Sequence, residues 1–341
     1  MRSLISRVVP DLIRPDGALL DEARQAPPKQ AEHARFLQRI EAFHAIEGRS
    51  PAKSPIWPGS IRVVAFNAER LKDRAAVRSL MDRAGAYVAL ISEVDVGMAR
   101  SGNAHTIREL IGSSAEGYLY GVEFVELDLG DEREMRQHAG ERNLCGFHGN
   151  AIVSALAWEE AHLIPLEENG LWFPGRNGAQ RRIGGRMALA ARISKAPCPF
   201  WVVSVHLESK TDPADRQAQI RNLLRALDTM TRNEPCIIGG DFNTKALPRA
   251  EDERHLLLHC PERYEPLFDD LRSAGFAWVE SNLAAPTQRT GPASKPQPPF
   301  GKLDWIVIRG MTAQNPKIIP ALDRQGKPVS DHEMLSVDLN L

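Results

Sequence analysis

Disulfide chemistry has little to work with in this chain. Four cysteines stand in 341 residues, Cys145, Cys198, Cys236 and Cys260, with no close pairing and no zinc-ligand spacing among them. That scarcity excludes a disulfide-stapled scaffold and points to free thiols in a reducing cytoplasm. An excess of one charge is missing too: 43 Lys+Arg stand against 44 Asp+Glu, for a net charge of -1. A protein that grips long duplex nucleic acid carries a basic footprint, and these totals offer none. No apolar run approaches the roughly 20 residues that span a bilayer. The opening "MRSLISRVVPDLIRPDGALL" is broken by Arg7, Asp11 and Arg14, so it has no signal-peptide h-region. The hydrophobic fraction, 43%, is that of a soluble globular protein with ample material for a large core.

The chain divides by texture. Residues 1–60 read as a helical extension and connector. In "AEHARFLQRIEAFHAIEG" Phe36, Leu37, Ile40 and Phe43 share a helical face, with Gly48 as a stop and Pro51 beyond it. Residues 61–341 read as one catalytic domain in which strand-like runs ("IRVVAF", "YVALIS", "NAIVSAL", "MALAARI", "FWVVSV", "CIIGG", "LDWIVI", "MLSVDL") outnumber helices. So many strands with so few helices between them predict α/β with mixed sheets, because a doubly wound parallel sheet needs a helix after nearly every strand. One helix is well marked: Asp212 caps it, Pro213 opens it, and Ile220, Leu223, Leu224 and Leu227 form its buried stripe. Two long segments, "ELDLGDEREMRQHAGERNLCGFHG" and "AAPTQRTGPASKPQPPFG", read as loops, and loops of that length in compact domains tend to border a site.

Polar residues recur where the apolar runs stop. "VVAF" stops at Asn67, "VALIS" at Glu93, "WVVSV" at His206 and "IIGG" at Asp241, with Asn243 two residues on. Asp304, Asp331 and His332 stand at the beginnings of later runs. Strands of opposite direction would gather all of these along one sheet edge. Singly, each has an ordinary explanation, since Asn or Asp after a strand is usually a turn former. The repetition points to a site. Carboxylate and amide oxygens without thiolates suit Mg2+ or Mn2+, while a zinc site on His206 and His332 lacks any HExxH-type spacing. Arg176, Arg181, Arg182 and Arg186 in "PGRNGAQRRIGGR" offer forks for phosphate oxygens, or simply a solvated loop.

In this order the motifs resemble the endonuclease/exonuclease/phosphatase superfamily, from about Ile61 to Leu341. The matching segments are "FNAE", "ISEVDVG", "HGNAIVS", "VSVHLES", "GGDFNT", "KLDWIVI" and "SDHEML". The resemblance implies a four-layered α/β sandwich of two mixed sheets flanked by helices, and a Mg2+- or Mn2+-dependent phosphoester hydrolase. It implies Asn67, Glu93 and Asp331 at the metal, and His148 and Asn150 at the substrate beside Arg181 and Arg182. Asp241 would hold or deprotonate the attacking water, and Asn243 would donate to a phosphoryl oxygen. His332 would be oriented by Asp304, and His206 would stabilise developing charge or protonate the leaving oxygen. The substrate stays open between a phosphodiester or phosphomonoester with a small headgroup and a nucleic-acid end. A DNA-repair nuclease and a non-catalytic scaffold that keeps the fold are the competing readings. The complete set of site residues weighs against the scaffold, and the sequence shows no obligate protein partner.

Overall fold

The computed structural model describes residues 3–53, 55–167, 169–175, 180–194 and 198–341. Its first half carries strands β1 (Val8–Val9), β2 (Ile46–Arg49), β3 (Ile61–Arg70), β4 (Val88–Val96), β5 (Gly117–Glu126) and β6 (Phe147–Ser154). The second half carries β7 (Trp158–Pro165), β8 (Arg182–Gly184), β9 (Met187–Ile193), β10 (Phe200–His206) and β11 (Cys236–Asp241). Three more strands follow, β12 (Asp304–Arg309), β13 (Thr312–Ile319) and β14 (Met334–Asn340). Helices α1 (Gly17–Gln25), α2 (Gln30–Arg39), α3 (Arg74–Ala84), α4 (Thr106–Ile111) and α5 (Glu132–Gln137) belong to the first half. Helices α6 (Pro213–Thr231), α7 (Leu256–His259) and α8 (Leu267–Ser273) belong to the second.

Two mixed sheets result. One runs β1-β2-β5-β6-β4-β3-β14-β13, with β8 paired to β5, and the other runs β12-β11-β10-β9-β7. Period-2 alternation explains why they stack. In β3, Val63 and Ala65 face the other sheet while Val64 and Phe66 face the helices. In β11, Ile237 enters the core between the sheets and its neighbour Ile238 the core beneath α6 and α8. Three separate apolar cores follow, one between the sheets and one under each helical layer, which is the four-layered sandwich. Each fully buried Ile or Val in them contributes about 1.5–3 kcal/mol relative to exposure.

The marked helix forms as expected. The Asp212 side chain accepts the Asp215 N–H, Pro213 opens α6, and Ile220, Leu223 and Leu227 are buried. The N-terminal helix is shorter than its pattern suggests. It ends at Arg39, a short 3-10 turn carries Phe43 inward, and Ile46–Arg49 becomes strand β2, between β1 and β5 in the larger sheet. Gly48 is therefore a strand residue, not a helix stop. A β-carbon there would come within 2.8 Å of Leu119 and 2.9 Å of Val8. Both segments read as loops are anchored: the first contains α5, fixed by a capping box between Asp131 and Glu134.

Candidate active site

Strand direction decides what meets. β10 and β11 run parallel and place His206 opposite Asp241; β12 runs antiparallel and places Asp304 opposite Asp241. In the other sheet β3 and β4 run parallel, and β14, preceded by His332, runs antiparallel to β3. The sheets touch at this edge through an amide. Asn67 Nδ2 donates to Asp241 Oδ2 at 3.1 Å and to Glu93 Oε1 at 3.2 Å. Ser330 Oγ donates to the Asn67 carbonyl at 2.7 Å and accepts the His332 N–H at 3.1 Å, which pins the segment before β14.

Two strands do not stop where their apolar runs do. β3 continues past Asn67 to Arg70 and β4 past Glu93 to Val96, each through a register shift at the polar residue. Bulges of this kind re-aim side chains and favour sites. The backbone carries further strain: Glu69 (φ 43°), Arg70 (φ 69°), Leu71 (φ 52°), Glu93 (φ 55°) and Asn243 (φ 50°) all adopt left-handed conformations. Such conformations disfavour side chains and persist only where surrounding contacts impose them. Gly240 meets a harder limit, since any β-carbon there would land on the Val205 carbonyl oxygen.

Asp241 sits between two imidazoles. Its Oδ2 lies 3.6 Å from His206 Nε2 and 3.7 Å from His332 Nε2, while its Oδ1 accepts the Asn243 N–H at 2.8 Å. His332 Nδ1 is held by Asp304 Oδ2 at 2.8 Å. Asp304 is itself placed by Thr287, whose hydroxyl accepts the N–H groups of Leu303 and Asp304 at 2.9 and 3.0 Å. The proline-rich segment is thus stitched to the site. The two histidines titrate in opposite directions. Burial works against a charged His332, but the charges of Asp304 and Asp241 outweigh it and hold the ring protonated well above its usual range. Burial, reinforced by the Arg186 charge, holds His206 neutral. Asp241 is pushed up to about 6, chiefly by burial, with the Asp304 charge adding to it and His332 opposing it. Groups whose environments drive their protonation apart are the mark of acid–base work. Behind His206, Glu123 Oε2 lies 4.0 Å from Nδ1, and neither atom has a hydrogen-bond partner.

A second set of carboxylates lies beside this one. Glu69 Oε2 is buried without a partner, and burial together with the charges of Asp331 and Glu93 pushes the Glu69 carboxyl up to about 7. Asp331 is raised by burial and, after the opposing charge of His332, by Glu93. Arg70 Nη1 lies 3.2 Å from Glu93 Oε2 and offsets part of this charge; oxygen donors of this kind suit a hard divalent cation, so Glu69, Glu93 and Asp331, with the Asn67 amide nearby, could hold Mg2+ or Mn2+. Asp241, Asp304 and His332 also bring ligand atoms within 4.8 Å of one another. There, however, the Asp304 bond occupies His332 Nδ1, which suits a proton relay better than a cation. Beyond Glu69 opens a cleft of about 800 Å³, with Lys72, Arg74, Arg133 and His138 on its walls and Pro292 and Pro328 closing one side.

This geometry agrees with an independent comparison of sequences. The profile of the Endonuclease/Exonuclease/phosphatase family matches residues 64–332. The chain belongs to this family. Solved structures of other members share its fold at low identity. An endonuclease/exonuclease/phosphatase from Beutenbergia cavernae is 18% identical with a TM-score of 0.56, covering 83% of this chain and 72% of its own. The human Nocturnin catalytic domain is 16% identical with a TM-score of 0.54, covering 86% and 96%. Truncated Caenorhabditis elegans TDP2 is 12% identical with a TM-score of 0.51, covering 84% and 100%. No curated protein matches by sequence.

Within this family member, the remaining residues singled out from sequence divide. His148 is buried with its Nδ1 on Asp95 Oδ1 at 2.8 Å, and Asn150 is buried with its amide on the Met187 carbonyl at 3.2 Å. The arginines do not converge on the Asp241 cluster. Arg181 donates to the carbonyls of Phe173, Arg24 and Ala26, tying α1 to the body. Arg182 pairs with Glu126 at 2.8 Å between the rings of Phe124 and Trp172. Both guanidinium groups thus have partners within the body of the protein, and among the described residues only Arg182 Nε is left without a hydrogen-bond partner of the pair's buried nitrogens. Arg186 pairs with Glu123 at 2.8 Å and Glu208 at 3.1 Å, and acts on His206 through its charge. Arg176 lies outside the described residues. Glu69, Arg70, Glu123 and Thr287 escape a reading of strand ends. None of them follows from period-2 alternation: Glu69 and Arg70 lie in the register shift that follows Asn67, with left-handed backbone.

Proposed function

We propose that this family member hydrolyses a phosphodiester by attack of water held at Asp241, with Mg2+ or Mn2+ as its cofactor. The observation that carries the reading is Asp241 standing between two buried imidazoles, with His332 Nε2 3.7 Å and His206 Nε2 3.6 Å away, the first of them fixed by Asp304 at 2.8 Å. As the water oxygen bonds to phosphorus, Asp241 takes its proton, while the P–O ester bond opposite the water breaks, its electron pair leaves on the departing oxygen, and that oxygen takes a proton from solvent. His332, fixed by Asp304, presents its Nε2–H and positive charge to the phosphoryl oxygens. His206 donates a neutral N–H there, and Asn243 contributes the amide hydrogen left over from its bond to the Leu207 carbonyl. Glu93, Glu69 and Asp331, with Asn67, would hold the cation, which when bound supplies charge neutralisation at the phosphate. We assign this chemistry to residues 61–341, with residues 1–60 as an extension. Four unpaired thiols support a cytoplasmic setting.

The test is hydrolysis of bis-p-nitrophenyl phosphate with Mg2+ or Mn2+ and after exhaustive chelation. Chelation should lower the rate roughly a hundredfold, and Glu93→Gln should lose activity while keeping the circular dichroism of the folded chain. Full activity after chelation and dialysis would end the metal-dependent reading.

Substrate size follows from the charges around the cleft. Lys72 is spent on Glu134, Arg74 on Glu109, and Arg78 on Asp82 and Glu116. Arg133 on the same walls has no ion pair among the described residues, but cations that are mostly paired make a poor track for a polyanion, so we assign a small phosphodiester or a short nucleic-acid end. On duplex DNA, with Ca2+ replacing Mg2+ to limit cleavage, log affinity should fall with log salt by no more than about two contacts at 0.9 each. A slope equivalent to roughly six contacts would favour the repair-nuclease reading instead.

A further inference from the structure

The oxygens of Asp241 face opposite sides of the site. Oδ2 takes the Asn67 amide, which leads to Glu93 in the larger sheet, and Oδ1 takes the Asn243 N–H, which leads into the loop after β11. That loop is laced to the one leaving β10. Asn243 Nδ2 donates to the Leu207 carbonyl at 3.0 Å, and Lys245 Nζ donates to the Ser209 carbonyl at 2.8 Å. Because β10 and β11 are parallel, both loops lie outside the carboxyl ends of their strands, where α/β sheets commonly bind ligands.

The cations on this side divide. Close to the strands they are spent: Arg186 pairs with Glu123 and Glu208, and Arg216 with Glu265. In the loop they are not. Lys245 and Arg249 are exposed, each gives a nitrogen to a carbonyl, of Ser209 and of Pro299, and neither forms an ion pair among the described residues. Asp241 is the carboxylate whose charge acts most on the Lys245 ammonium, so this unspent charge stands on the Oδ1 side of the water-holding group. An ammonium with protons to spare is a compact point charge suited to phosphate. The departing oxygen lies opposite the attacking water, so what meets the Asp241 side belongs to the half of the substrate that stays on phosphorus. We propose that Lys245, with Arg249 further along the same loop, forms a subsite for a second phosphate on that retained half. This rests on the hydrolytic reading above and adds the kind of substrate, an ester whose retained half is itself phosphorylated.

The experiment uses two esters with one leaving group, thymidine 5′-(p-nitrophenyl phosphate) and its 3′-phosphorylated form, so that only the second phosphate differs. With Mg2+ or Mn2+, the wild type should show kcat/KM about tenfold higher for the 3′-phosphorylated ester, mainly through KM. Lys245→Gln keeps a donor for the Ser209 carbonyl but removes the charge, and should bring that ratio close to one. Lys245→Arg keeps the charge and should preserve most of the ratio. A ratio near one in the wild type, or a ratio that survives in Lys245→Gln, would overturn the subsite. Binding separates this outcome from the fate of the hydrolytic reading. By isothermal titration the wild type should bind thymidine 3′,5′-bisphosphate about tenfold tighter than thymidine 5′-phosphate, and Lys245→Gln should erase the difference. A wild type that hydrolyses neither ester yet shows this difference would overturn the hydrolytic reading and uphold the subsite. Equal binding of the two nucleotides would overturn the subsite alone.

Discussion

Asp304→Ala and His332→Ala should each lower kcat/KM by about 10³-fold, and the double variant should lose about the same, not the 10⁶-fold that independent losses would give. The structure makes the two residues one device. Asp304 Oδ2 holds His332 Nδ1 at 2.8 Å, and the Asp304 charge heads the forces that keep the ring protonated against its burial. Remove the carboxylate and burial wins, so the imidazole at Asp241 becomes neutral and free to turn. Remove the imidazole and Asp304 has nothing left to orient. Groups acting through one another lose the same free energy whichever is deleted, which is what a double-mutant cycle measures. Asp304 is fully buried, so truncation could loosen β12. Asp304→Asn keeps the shape while removing the charge, and should give most of the loss with near-native thermal unfolding. Additive losses in log kcat/KM would show that Asp304 and His332 serve separate ends.

The pairing shows why much of the site was legible in the sequence. Apolar runs with period 2 marked the strands, and their polar boundary residues fell at one edge because β10 and β11 are parallel while β12 and β14 return. What stayed hidden depends on departures from that period. The bulges at Asn67 and Glu93 carry the strands onward and turn Glu69 and Arg70 toward Glu93, and a pattern of apolar residues has no symbol for a bulge. Glu123 was invisible for another reason: it lies inside β5, every residue of which is buried, and only tertiary packing puts it behind His206. For the arginines, a loop sequence shows charge but not partners. Arg181 and Arg182 meet carbonyls, a carboxylate and aromatic rings within the body. Gly48 misled in the opposite sense, since a glycine after a helical pattern and one required by close strand packing are spelled the same way.

Asp241→Asn should cost more than any change at the rim of the site, about 10³- to 10⁴-fold in kcat with KM changed only a few-fold. Both carboxylate oxygens are already acceptors, Oδ1 for the Asn243 N–H at 2.8 Å and Oδ2 for the Asn67 amide at 3.1 Å. An asparagine offers one acceptor and one donor there, so its NH2 must confront a donor whichever way it turns. Losing one such buried bond destabilises by about 1–3 kcal/mol, which urea unfolding will register but which should leave the chain folded. The kinetic loss is larger and has a different source. The variant has no negative charge to take the proton of water, and His332 loses one of the three carboxylates, Asp304, Asp241 and Asp331, that favour its charged form. Asn67→Ala separates the two effects, because it removes the donor to Oδ2 but leaves the Asp241 charge. If the scaffold were what mattered, Asn67→Ala would lose as much as Asp241→Asn. If Asp241 holds and deprotonates the water, the aspartate variant falls further in kcat. A folded Asp241→Asn that keeps kcat within tenfold of the wild type would remove Asp241 from the chemistry and leave the water to be activated elsewhere in the cluster.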